Sequence, residues 1–165
     1  MSIDFFKKGC QNSSSLSRFG LCDDESEPLK PAYIDEVNVS NWLAEVNNVK
    51  CYPVDFYAID NCVEILRADG TQESRCDGIL HYENKLFFVE LKDRTSRGWT
   101  IKGREQLTAT YIVFKSNYDV STFANIEGYV CNKQRPLANT NHMIQIQRFY
   151  SDTGLKLNIQ KIIDL

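Results

Sequence analysis

Two short stretches near the middle of the chain have the character of β-strands. Residues 75–80 (RCDGIL) and 86–92 (LFFVELK) are rich in the β-branched and aromatic residues typical of strands. Residues 82–85 (YENK) have the polar character of a tight turn, with Glu83 and Asn84 as its loop. We therefore predict a β-hairpin of two antiparallel strands.

The register of this hairpin brings three charged side chains together. Asp77 would lie opposite Glu90, with Cβ atoms roughly 4.5–5.5 Å apart, although like charges opposed in a sheet are destabilising. Lys92 would point to the same face, because strand side chains alternate. A divalent cation bound by both carboxylates would explain the arrangement, and a neighbouring lysine can orient an attacking water. The alternative is a surface hairpin whose polar face happens to carry these charges.

Two further strand-like runs precede the hairpin. They lie at 51–59 and 62–66, with a plausible turn at 60–61 between them and a clear turn at 68–70. The second run leads into the Asp77 strand, so the pattern predicts an antiparallel meander of three or four strands.

After the hairpin the apolar period becomes helical. Leu107, Tyr111 and Phe114 recur at i, i+4 and i+7, which predicts a helix over 101–114 packed on the sheet. Residues 125–131 then predict a strand that could run parallel to the hairpin strand after this crossover helix.

The remaining segments carry weaker patterns. Ser40 could cap a short helix that extends to Val46. Apolar and polar residues alternate in 143–149 and 155–163, on either side of the turn-like 151–154 (SDTG). This alternation predicts a C-terminal β-hairpin.

Length and composition predict one globular domain. The chain has 165 residues, of which 42% are hydrophobic. Residues 1–32 are polar and loop-like, so we expect an irregular N-terminal arm before a single domain over 33–165. No run is long enough for a transmembrane helix, and the N-terminus lacks the pattern of a signal peptide, which favours a cytoplasmic protein with six reduced cysteines.

The net charge of the chain is compatible only with a local nucleic-acid-binding surface. The net charge of −3 argues against a general electrostatic hold on nucleic acid. A basic patch with an aromatic residue does follow Lys92, and could contact phosphates and stack on a base. The alternative is a solvated loop with one half-buried tryptophan. The patch consists of Arg94, Arg97, Trp99, Lys102 and Arg104.

Asp77 and Glu90-Leu91-Lys92 resemble the signature of the PD-(D/E)xK nuclease superfamily. Its members carry an aspartate at the start of the second core strand and a Glu-x-Lys or Asp-x-Lys at the end of the third. Gly78 and the apolar approach to Glu90 are also similar, whereas Cys76 stands where the family usually has proline. The resemblance implies an α/β (α+β) restriction-endonuclease-like fold, with a mixed central sheet flanked by helices.

The resemblance also implies a set of roles. Asp77, Glu90 and the Leu91 carbonyl would bind Mg²⁺ or Mn²⁺, and Lys92 would be catalytic. Gln106 is a further candidate outside the ligand set, since several branches of the superfamily place a glutamine from the helix after the lysine beside the metal site. A further acidic residue from the N-terminal region is also implied, with Glu36 and Glu45 as the candidates.

Two functions follow as expectations. The first is a metal-dependent nuclease that hydrolyses phosphodiester bonds, DNA more readily than RNA, as a homodimer or with a partner subunit. The second is an inactive nuclease-like protein that binds nucleic acid or another partner. Neither reading involves a membrane.

Overall fold

Two mixed β-sheets and two α-helices make up the part of the chain that this computed structural model describes, residues 2–93, 96–134 and 139–165. This confirms the predicted α+β class. The helices are α1 (Trp99–Asn117) and α2 (Thr140–Thr153). The strands are β1 (Gln11–Ser14), β2 (Arg18–Cys22), β3 (Tyr33–Asp35), β4 (Ala44–Asn47), β5 (Val54–Ala58), β6 (Gly78–Tyr82), β7 (Lys85–Lys92), β8 (Asn125–Asn132), β9 (Leu157–Ile159) and β10 (Ile162–Asp164).

The larger sheet has the strand order β1-β5-β6-β7-β8-β9 and the smaller one β10-β4-β2-β3. Strands β1, β5, β6 and β7 are antiparallel neighbours, whereas β8 runs parallel to both β7 and β9. The predicted hairpin is confirmed, because Tyr82 pairs with Lys85 and Gly78 with Val89. Glu83 takes a left-handed φ of 50° in the two-residue turn.

Helix α1 is the crossover between the parallel strands β7 and β8, as the sequence predicts. Leu107, Tyr111 and Phe114 are all buried, and Phe88 of β7 meets the last two rings edge-on at 5.6 and 5.2 Å between centroids. The core of the larger sheet therefore lies directly beneath the strand that ends in Glu90 and Lys92.

The N-terminal segment differs from its prediction as an irregular arm. It contributes β1 and β2, one to each sheet, and Phe5 and Phe19 are fully buried. Polar strand positions are satisfied by side chains: Ser13 Oγ and Gln11 Nε2 donate to Asp55 Oδ1 at 2.6 and 2.9 Å. The polar composition of β1 therefore led to the wrong prediction of an irregular segment.

A disulfide joins this segment to the turn that follows β5. Cys10 and Cys62 are bonded, so the prediction of six reduced thiols is wrong for this pair. Cys22, Cys51, Cys76 and Cys131 are free thiols. The sequence pattern gave no indication of this pairing, because the two cysteines meet only when β1 pairs with β5.

The predicted C-terminal hairpin is wrong. Residues 143–149 belong to α2, and β9 and β10 join different sheets. Asn139 caps α2 by accepting the His142 N–H at 3.0 Å, and Gly154 ends it with a φ of 76°. The helix buries His142, Gln145 and Phe149, a spacing of i, i+3 and i+7 that the alternation concealed.

Two smaller predictions also differ from the structure. Val39–Asn41 forms a single 3-10 turn and β4 follows, in place of a helix capped by Ser40. In 62–66 the structure has an isolated bridge between Leu66 and Gln72 instead of a strand. Within the described ranges, no helix is long and apolar enough to cross a membrane.

Candidate active site

The hairpin places Asp77 and Glu90 at adjacent positions of two paired strands. Asp77 immediately precedes β6, and Asp77 and Glu90 are the next residues beyond the last pair of this ladder, Gly78 with Val89. The Asp77 carbonyl also accepts the Ile59 N–H at 2.9 Å, so the pairing of β5 with β6 extends to this residue. The side chains of Asp77 and Glu90 are buried, with 6% and 2% of each residue exposed. The predicted register is thus the observed one.

Lys92 lies on the same face and contacts Glu90 and Gln106. Its Nζ donates to Glu90 Oε1 at 2.7 Å and to Gln106 Oε1 at 3.0 Å. Gln106 in turn donates from Nε2 to the Arg75 carbonyl at 3.2 Å. Helix α1 therefore contacts the lysine through Gln106, which lies next to the carboxylate pair.

The two carboxylates differ in how their oxygens are satisfied. Asp77 Oδ2 accepts the Leu91 N–H at 2.6 Å. Glu90 Oε2 is buried and, among the described residues, has no hydrogen-bond partner. An unpaired buried carboxylate oxygen is costly to the folded state, so this atom is where a cation or a proton would be stabilising.

The acidity of the pair reflects that burial. Burial raises the pKa of Glu90 to about 7, against the opposing effect of the Lys92 ammonium. Burial and then the nearby Glu90 charge raise the pKa of Asp77 well above its usual value. The metal-free pair therefore binds protons more tightly than ordinary carboxyl groups do, and a bound cation would displace them.

Three further charged residues adjoin the pair, and sequence reasoning missed them. Arg75 Nη2 forms an ion pair with Asp60 Oδ1 at 2.9 Å, and Arg75 Nη1 donates to the Val63 carbonyl at 3.0 Å. Asp23, just after β2, is partly buried, and burial and then Asp60 raise its pKa. Of the three, only Arg75 could have been placed near the site from the sequence, because it precedes Asp77 by two residues and would share its face in an extended segment.

The predicted upstream acids lie elsewhere in the molecule. Glu36 Oε1 accepts from Ser14 Oγ at 2.6 Å. Glu45 in β4 of the smaller sheet pairs with Arg18 at 2.7 Å. Neither contact involves the hairpin, so the structure does not support these two residues as part of the site.

The predicted basic patch is only partly exposed. Arg97 and Lys102 are exposed, and Trp99 is half-buried with its ring edge-on to His142 at 5.8 Å. Arg104 is buried instead, since its Nε donates to Gln145 Oε1 at 2.6 Å. Arg94 lies outside the described residues.

Over the ranges that the structure describes, no group of three or more His, Cys, Asp or Glu side chains is arranged to hold a metal ion. Comparison with known protein families, curated proteins and solved structures gave no match. Inference about function therefore depends on the geometry around Asp77, Glu90 and Lys92.

Proposed function

We propose that this protein is a metal-dependent nuclease of the PD-(D/E)xK type, which hydrolyses phosphodiester bonds in nucleic acid. The observation that carries the proposal is the buried, opposed pair Asp77 and Glu90 with the Lys92 ammonium bonded to Glu90. The parallel strands β7 and β8 joined by α1 also suit a restriction-endonuclease-like sheet. Two buried acids on adjacent strands destabilise a fold unless they serve a ligand.

The residues at the site fit a divalent cation such as Mg²⁺ or Mn²⁺. Both prefer hard oxygen ligands. Glu90 Oε2 is buried and without a hydrogen-bond partner in the described part of the chain, and Asp77 offers the carboxylate oxygen that does not accept from Leu91. We propose the Leu91 carbonyl as the third protein ligand, with water completing the set.

In this proposal the cation and Lys92 have different roles in hydrolysis. When bound, the cation would supply Lewis-acid activation of water and neutralise phosphate charge. Lys92 has three N–H donors, of which Glu90 and Gln106 occupy two. Its third donor can hold an attacking water or a phosphate oxygen, and so stabilise the charge that develops there.

We further propose that nucleic acid, DNA in preference to RNA, approaches along the start of α1. Arg97 and Lys102 are exposed there, and this helix begins shortly after Lys92 in the chain. So few exposed cations suit a homodimer or a partner subunit that completes the binding surface. A cytoplasmic location was expected, but the Cys10–Cys62 disulfide favours a more oxidising compartment.

Cleavage assays with matched variants test this function. Wild type should cut single- or double-stranded DNA or RNA with Mg²⁺ or Mn²⁺. Lys92→Ala should lose cleavage yet keep Mn²⁺ binding by calorimetry, because Lys92 is not a ligand. Glu90→Ala should lose both, whereas Lys85→Ala, at the opposite end of β7, should retain both.

The second candidate is an inactive nuclease-like binding protein. One observation favours it: Lys92 already serves Glu90 as an internal counter-ion, in a region where no three-ligand metal set is formed within the described residues. Thermal unfolding of chelator-treated protein separates the two readings, because a cation that binds the folded state must raise the melting temperature. Absence of both a Mn²⁺ shift and cleavage would favour the binding protein.

A further inference from the structure

Arg75 makes three polar contacts beside the candidate site. Its guanidinium pairs with Asp60 at 2.9 Å and donates to the Val63 carbonyl at 3.0 Å. Its own carbonyl accepts from Gln106 Nε2 at 3.2 Å. The Arg75 side chain is only 15% exposed, whereas that of its partner Asp60 is 37% exposed.

Two of these contacts lead to groups that surround the Lys92 ammonium or its partner Glu90. Gln106 is one of its two acceptors. Asp60 is a second acid close to Glu90, and so could rival it for the ammonium: its N–H donates to the Cys76 carbonyl at 3.2 Å, one position from Asp77, and its charge contributes to the raised pKa of Glu90. A lysine ammonium is a point charge on a flexible stem, and it moves toward an uncompensated carboxylate.

We propose that Arg75 is a positioning residue of this site: it neutralises Asp60 and anchors Gln106, and so keeps the Lys92 ammonium on Glu90. The kinetic part of this inference rests on the proposed nuclease function. The placement of the ammonium does not, because it is a property of the metal-free protein.

The position of the ammonium can be measured without any activity. In protein labelled with ¹⁵N-lysine, the side-chain signal that disappears in Lys92→Arg is that of Lys92. Arg75→Met, which keeps most of the aliphatic stem, should shift this signal and speed its hydrogen exchange. Adding Asp60→Asn should restore it, because the rival charge is then gone.

Two variants control for a general structural effect. Arg67→Met breaks a comparable ion pair, Arg67 to Glu73 at 3.0 Å, and should leave the Lys92 signal unchanged. Arg75→Lys keeps a positive charge near Asp60, and should retain most of the wild-type signal even if Arg75→Met folds poorly. An unchanged signal in folded Arg75→Met, a shifted one in Arg75→Lys, or no restoration by Asp60→Asn would overturn the inference.

Cleavage kinetics provide a second test of the inference. Arg75→Met should lower kcat by about 10- to 100-fold, as expected for a displaced catalytic group. KM for nucleic acid should change less than about twofold, because Arg75 is not proposed to bind substrate, and the double variant should recover kcat. If wild type cleaves nothing, the nuclease proposal fails while the lysine signal still decides the role of Arg75. A loss confined to KM would contradict the positioning role.

Discussion

Single residues at the candidate site work against the stability of the metal-free protein. Asp77 and Glu90 are buried carboxyl groups whose pKa values are raised because the folded interior disfavours their charged forms. Lys92 offsets part of this cost at Glu90, and the Leu91 N–H offsets part of it at Asp77. Removing a charge should therefore stabilise the fold, whereas removing a hydrogen-bond acceptor should not.

Variants of Asp77 separate these two effects. Asp77→Asn keeps an acceptor for the Leu91 N–H and removes the charge, so its free energy of unfolding at pH 8 should equal or exceed that of wild type. Asp77→Ala leaves that buried N–H unsatisfied, and should be about 1–3 kcal/mol less stable than Asp77→Asn. Urea unfolding in the presence of chelator provides both values. Equal stability of the two variants would show that the hydrogen bond contributes nothing.

The pH dependence of stability follows from the same raised pKa values. The ordinary values are 3.8 for Asp77 and 4.5 for Glu90, so between about pH 4 and 7 the folded state binds more protons than the unfolded state. The free energy of unfolding should fall as the pH rises through this window, for Glu90 alone by on the order of 3 kcal/mol. His142, whose pKa burial lowers, acts in the opposite direction near its own titration.

Urea unfolding of wild type and Glu90→Gln at pH 5 and pH 8 measures the contribution of Glu90. The variant should lose less stability than wild type between the two values, and His142 cancels in the comparison. An identical loss in both proteins would mean that Glu90 is already ionised at pH 5.

At the scale of elements, the sequence predicted those helices and strands whose formation depends on residues close together in the chain. The β6–β7 hairpin and the buried stripe of α1 depend on short spacings, and both are present in the structure. Helix α2 carried local signals of equal strength, the Asn139 cap and Gly154, but alternation over 143–149 suggested a strand. The capping residues therefore indicated the secondary structure of this segment more reliably than the alternation did.

Gly154 provides a test of that helix end. Its φ of 76° is left-handed, and a Cβ added there would meet nothing within 4 Å. Gly154→Ala should therefore lower the free energy of unfolding by roughly 1–2 kcal/mol through backbone strain alone. Gly9→Ala, which is equally open but has no left-handed φ, should change stability by less than about 0.5 kcal/mol. Similar losses in both variants would point to another cause.

At the scale of the whole molecule, the site depends on contacts that no local pattern contains. Asp77, Glu90 and Lys92 were predictable because one hairpin brings them together. Asp60 and Asp23 come from a turn and a loop that reach the hairpin only after distant segments pair, Asp23 from the smaller sheet. The same holds for the disulfide, whose cysteines are 52 residues apart.

That disulfide should be a major source of stability. Closing a loop of 52 residues restricts the unfolded chain, so Cys10→Ser with Cys62→Ser should lower the free energy of unfolding by about 2–4 kcal/mol. Cys51→Ser, at an exposed free thiol, is the matched control and should change little. Guanidinium unfolding without reductant measures both. A loss below about 0.5 kcal/mol in the double variant would contradict the expectation.

Strands β9 and β10 have a consequence for synthesis on the ribosome. Separated by two residues, they complete different sheets, and Asn47 Nδ2 donates to Asp164 Oδ1 across 117 residues of chain. While the intervening chain is being translated, the β4 edge that β10 covers stays open to other chains. Closure can follow only once residue 164 has left the exit tunnel, so until then this edge of the nascent chain depends on protection from edge-to-edge association.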